Sequence, residues 1–126
     1  MKFSKYVFIA AGIYGLIVTV PMYFSEAQFG AEHPPVITHP EYFYGFIGVV
    51  IAWQILFFLI ARDPERYRLM MIPAVLEKMG YAATVFILFS IDRITAFPLT
   101  FAGIDLALGA LFIAAFILAR PKAGFY

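Results

Sequence analysis

The sequence predicts an all-α, polytopic integral membrane protein: four transmembrane helices in an up-down bundle, with both termini in the cytoplasm. Three observations predict it. The 126-residue chain is 63% hydrophobic, with a mean hydropathy of +0.89. Only 13% of its residues are charged, where a soluble domain carries about a quarter. Four apolar runs, Phe3 to Phe24, Tyr42 to Ala61, Leu69 to Ile91 and Phe101 to Ala119, are separated by short polar segments. A helix rises about 1.5 Å per residue, so each run matches a hydrocarbon core of roughly 30 Å. The four runs leave no soluble remainder, and residues 1–126 read as one transmembrane domain. With flanking caps included, the expected helices are about 3–24, 42–61, 64–91 and 98–119, with an outer loop at 25–41.

The first run begins after Lys2 and Lys5 and ends before Ser25-Glu26-Ala27, which is also the outline of a secretory signal peptide. Its apolar stretch exceeds the roughly 7–15 residues of a signal core, so it reads as a membrane helix. Pro21 sits near its end, where a missing N–H is tolerated or bends the helix. The outer loop carries Glu32, His33, His39 and Glu41 among Pro34, Pro35 and Pro40. Two imidazoles and two carboxylates are weak candidates for a metal site at His33 and His39. Their spacing fits no established ligand pattern, and the prolines favour an extended, solvated connector. No metal and no cofactor are expected.

The second run carries the single tryptophan, Trp53, rather deep for an interfacial anchor, and next to it Gln54 near mid-membrane. Asp63-Pro64 is a helix-start signal, because Asp accepts from free backbone N–H groups and Pro loses no bond in a first turn. Pro98 opens the fourth helix in the same way.

Orientation follows from the basic residues, which are retained on the cytoplasmic side. Lys2, Lys5, Arg62, Arg66, Arg68, Arg120 and Lys122 fall on one side of a four-span arrangement. The other side holds Arg93 together with Glu26, Glu32, Glu41 and Asp92. The expected location is a bacterial inner or plasma membrane, with the N- and C-termini inside.

Between helices in lipid, close packing and a few polar contacts replace the hydrophobic effect. Small residues spaced for backbone approach are Ala11, Gly15 and Thr19 in the first helix, Gly48 and Ala52 in the second, and Gly103, Ala107, Ala110 and Ala114 in the fourth. These faces are expected to be helix–helix contacts.

Ionisable groups inside a membrane are default functional candidates, because placing a charge there costs about 2.5–3.5 kcal/mol. The candidates are Glu77, Lys78 and Asp105, with Gln54 as a neutral fourth. From Asp92 back to Glu77 (92 − 77 = 15 positions) is roughly 22 Å of helix. Lys78 has a stem long enough to snorkel to the cytoplasmic boundary. Glu77 is too short to do so. Adjacent helical residues point about 100° apart, so Glu77 and Lys78 are not expected to pair face to face. The Glu77 stripe, with Pro73, Ala74, Gly80, Tyr81 and Thr84, is expected to face the bundle. In a second reading, residues 64–72 form a surface helix and leave both charges at the headgroups. Asp105 is expected to pair with Arg93, and Gln54 to bond across to another helix.

The absence of cysteine excludes disulfides and thiolate chemistry. The net charge of +1 comes with no basic stripe, so no nucleic-acid partner is expected. No nucleophile–base constellation or phosphate loop is present, which points away from an enzyme. The leading functional expectation is a small membrane protein acting through helix–helix contacts, as a homo-oligomer or an accessory subunit, with membrane lipids as its surroundings. A transporter or pore using Glu77 and Asp105 is the first alternative. A pocket for a lipid or other lipophilic ligand is the second.

Overall fold

The computed structural model describes residues 2–120. Its helices are α1 (Lys2–Thr19), α2 (Glu26–Glu32), α3 (Pro40–Arg62), α4 (Met71–Ser90) and α5 (Leu99–Leu118). Single 3₁₀ segments occupy Val20–Phe24 and Arg68–Met70. No strand occurs among the described residues. Four helical stretches, Lys2–Phe24, Pro40–Arg62, Arg68–Ser90 and Leu99–Leu118, are long and apolar enough to cross a membrane. That is the signature of a multi-pass membrane protein.

Proline and its neighbours set the boundaries. Pro21 has no N–H to give back to the α1 ladder, and the chain tightens into a 3₁₀ turn from Val20. The third span departs from the expected 64–91 helix. Asp63 does act as a cap, accepting the Arg66 N–H at 3.3 Å, but it caps an isolated turn. The α-helix itself starts at Met71. Pro73 lacks the N–H that would tie the preceding turn into it, so the 3₁₀ segment Arg68–Met70 stands in front. At the other end of α4, Asp92 is left-handed (φ 61). The Arg93 N–H reaches the Leu88 carbonyl at 2.9 Å and the Asp92 N–H that of Phe89 at 3.1 Å. This double closure satisfies the last carbonyls, and Asp is among the few side chains that tolerate the conformation.

The bundle is two close pairs, α1 along α3 and α4 along α5, joined chiefly through α1 and α5. The α3–α4 seam is the thinnest of the four. Glycines bring the pairs close. A Cβ on Gly12 would strike the Phe58 ring, and one on Gly109 would strike the Met79 terminus. Of the small residues singled out above, Ala11, Gly15 and Thr19 are buried. Gly48 is only half-buried and Ala52 is exposed. The α5 set behaves differently: Gly103, Ala107 and Ala110 face out of the bundle and Ala114 is half-exposed. The face of α5 turned inward is Ala102, Asp105, Gly109, Phe112 and Ala115. Asp105 and the Phe112 ring fix that rotation, because both have partners inside.

One half of the bundle is solid. Phe8, Phe57 and Phe112 are fully buried. Phe8 stacks on Phe112 at 4.2 Å, and Phe57 meets Phe112 at 5.1 Å and Phe8 at 5.9 Å. Ile60, Met71, Ala74 and Ala115 close around them. Polar ties finish this end. Ser4 Oγ donates to the Ala115 carbonyl at 3.2 Å. Arg68 Nε donates to the Phe116 carbonyl at 2.7 Å, with its guanidinium 3.7 Å above the Phe116 ring.

The opposite end is built from the stretch between α1 and α3, which is not the extended connector expected. Residues Glu26–Glu32 are helical. Phe29 anchors that helix against Phe43 at 5.8 Å and Phe97 at 6.4 Å, and Tyr44 Oη donates to Glu26 at 2.9 Å. The apolar residue in a polar loop has simply found the aromatic ends of α3 and of the segment before α5.

Candidate functional site: a charged floor in an aromatic cavity

Above the solid half the four long helices separate and leave a cavity of about 580 Å³. α1 contributes Tyr14, Gly15 and Val18, and α3 contributes Val49, Trp53 and Gln54. α4 contributes Glu77, Lys78 and Tyr81, and α5 contributes Phe101 and Asp105. Phe29 of α2 lines it at the loop end. Its volume is in the range of small-molecule sites, which are largely apolar with a few convergent polar groups. A shallower hollow between α2 and the start of α3 shares Met22, Phe29 and Phe46 with it.

The charges gather on one wall. Lys78 is turned into the bundle, its side chain only 4% exposed. Its Nζ lies 3.4 Å from Glu77 Oε1 and 3.6 Å from Asp105 Oδ1. It also sits 5.2 Å above the centre of the Phe57 ring, at the top of the solid half. The two carboxylates are 16% and 12% exposed. Counted with all three groups ionised, two acids and one ammonium leave one excess negative charge. Glu77 Oε1 makes a charge contact with Lys78 but has no hydrogen-bond donor.

Four sequence expectations are corrected here. Lys78 does not snorkel: it is the buried member of the Glu77–Lys78 pair, and the inward face of α4 is Met71, Ala74, Lys78, Ala82 and Val85. Gly80 and Thr84 point outward, while Tyr81 is half-buried. Neighbouring helical positions do pair here, because both flexible side chains bend toward the same opening. Asp105 meets Lys78 rather than Arg93, which is exposed beyond the end of α4. The inward rotation of α5 places the acid against α4 and out of reach of the loop.

Gln54 is the fourth polar group of the wall. It is fully buried, and its Nε2 donates to the Val50 carbonyl of its own helix at 2.8 Å, not across to another helix as expected. Its Oε1 has no donor. That oxygen lies over Gly15, where any side chain would collide with it. Buried acceptors without donors are rare in folded proteins and call for an explanation.

The loop imidazoles are drawn apart. His33 stacks on Phe97 at 4.0 Å, whereas His39 lies 3.9 Å from Glu41 and 5.4 Å from the Tyr42 ring. Each is engaged with a different aromatic.

Sequence reasoning missed Tyr14, Phe29 and Phe101 as cavity residues. Trp53 carried a signal: a lone tryptophan too deep for the interface, adjacent to a membrane-buried Gln. Comparison of the chain with protein-family models, curated proteins and solved structures finds no match.

Proposed function

We propose that this multi-pass membrane protein binds a lipophilic small molecule inside its helix bundle, in the cavity between Trp53, Tyr81 and Phe101. One observation carries the reading: a sizeable aromatic-lined cavity ends on a wall of buried polar groups, two of whose oxygens lack donors. A purely structural polar contact would be packed tightly and satisfied. The pore reading is less well supported, because the packed rings of Phe8, Phe57 and Phe112 fill the bundle beneath the charges.

In the proposed arrangement the helices alternate up and down, with N- and C-termini inside. The basic residues Lys2, Lys5, Arg62, Arg66, Arg68 and Arg120 support this. The contact Ser4–Ala115, from the start of the first span to the end of the fourth, and the contact Glu26–Tyr44, from the segment after the first span to the start of the second, support the alternation. Lys122, used for the same inference, lies outside the described residues. The cavity then belongs to the outer half of the bilayer. The outward small residues Gly103, Ala107 and Ala110 favour a second, compatible reading: self-association through α5.

Trp53 supplies the test, since it is the single tryptophan and lines the cavity. In nanodiscs, single-chain amphiphiles carrying a terminal bromine should quench its fluorescence saturably, and unbrominated analogues should relieve the quenching. Quenching that rises linearly with membrane concentration for every amphiphile tried, as simple partitioning would give, refutes the pocket.

A further inference from the structure

We propose that the cavity wall is a receptor for the protonated amine head of a single-chain amphiphile. This rests on the pocket reading above and adds the chemistry of the ligand.

The wall asks for a donor. Gln54 is a fully buried residue of the cavity lining, and its Oε1, which lies over Gly15, has no hydrogen-bond partner among the described residues. Glu77 Oε1 is a second acceptor without a donor. Lys78 presents its ammonium to two carboxylates at 3.4 and 3.6 Å, so it is already shared. An anionic head entering here meets an excess of negative charge, and the nearest cation is engaged. An alkyl alcohol satisfies one acceptor but leaves the charge. An ammonium group brings up to three donors and cancels the excess, turning two acids and one base into two ion pairs in a medium of low dielectric.

The walls fit the rest of such a molecule. Tyr14, Trp53, Tyr81 and Phe101 surround the approach to the charges. Aromatic faces attract a cation and exclude water from it. Beyond them Val18, Val49 and Phe29 continue an apolar path toward the loop end. A short alkyl tail is matched there by residues with no hydrogen bonds to lose. In this proposal the amphiphile enters from lipid, the phase in which it resides, through the α3–α4 seam, where neighbouring long helices touch least.

The experiment compares three bromine-tipped probes of one chain length, differing only in head: ω-bromoundecylamine, ω-bromoundecanol and ω-bromoundecanoate. Each is titrated against Trp53 fluorescence in nanodiscs of uncharged lipid at neutral pH. The amine is expected to bind about tenfold tighter than the alcohol, the increment of one charge-assisted contact, with the carboxylate weakest. The double variant Glu77→Gln, Asp105→Asn should bring the amine down to the affinity of the alcohol. Saturable quenching of the variant by the alcohol shows that the bundle is folded. Equal binding of amine and alcohol to the wild type overturns the inference, because a proton then neutralises the wall. Tightest binding of the carboxylate overturns it in favour of Lys78 as the anchor. In both cases the pocket itself stands. Saturable quenching by none of the three removes the pocket and the inference together.

Discussion

The carboxamide oxygen of Gln54 occupies the space that a side chain on Gly15 would fill. The contact joins α1 to α3 at the level where the bundle changes from solid to hollow. Gly15→Ala should therefore force Gln54 out of place. Overpacking of this kind costs about 1–3 kcal/mol, so a thermal melt in detergent should shift down clearly. Gly103→Ala, with nothing within 4 Å of its would-be Cβ, should leave the monomer's melt unchanged. A Gly15→Ala protein melting like wild type would show that this contact is not made.

Lys78 is shared by two acids, and its removal leaves both uncompensated. Lys78→Met should destabilise the bundle by about 3–5 kcal/mol, the usual cost of stranding buried charge. Asp105→Asn should do less harm, since Glu77 still faces Lys78 at 3.4 Å. Combining Lys78→Met with Asp105→Asn should recover part of the loss. Additive destabilisation in the double variant would contradict the pairing.

Arg68 fixes the start of the third span to the end of the fourth through the Phe116 carbonyl and ring. Lysine keeps the charge but cannot reproduce a flat group stacked 3.7 Å from the ring centre while bonding the carbonyl. Arg68→Lys is expected to lose about 1–3 kcal/mol, measured by urea or thermal unfolding in micelles. An unchanged midpoint would mean the guanidinium geometry is immaterial.

The proposed orientation has its own test. Cysteine introduced at Thr38 should react in intact cells with a membrane-impermeant maleimide, and cysteine at Glu65 should react only after lysis. The native chain has no cysteine to interfere. Equal labelling of both in intact cells would reverse or abolish the up-down reading.

The four spans were legible because hydrocarbon imposes a length and a composition that no other solvent imposes. The rotation of each helix was not. Glu77 and Lys78 differ by about 100° on a helix, and the choice of which one turns inward is made by Asp105 on a distant part of the chain. The same acid turns the Gly103–Ala107–Ala110 stripe outward, so a pattern that read as an internal contact became external surface. The Gln54 side chain is buried in the bundle. Its acceptor was hidden, because a Gln can bond its own helix as readily as a neighbour's. The helix at Glu26–Glu32 escaped notice for a simpler reason: one apolar residue, Phe29, holds it, and its partners lie on two other segments. The cavity is a space between four helices, and no single run of sequence encodes it.

The packed rings of Phe8, Phe57 and Phe112 give the protein a foundation separate from its cavity. Substitutions there should be read out as lost protein in the cell, since a cavity in a core is a folding defect: Phe112→Ala should cost about 3–5 kcal/mol. Substitutions among Val18, Val49 and Phe101 touch a space that is already empty and should be read out as altered preference at normal abundance. A saturation-mutagenesis scan scored separately for abundance and for ligand response should therefore divide along a plane through Lys78. Such a partition lets the upper walls vary without the whole molecule having to be stabilised again each time.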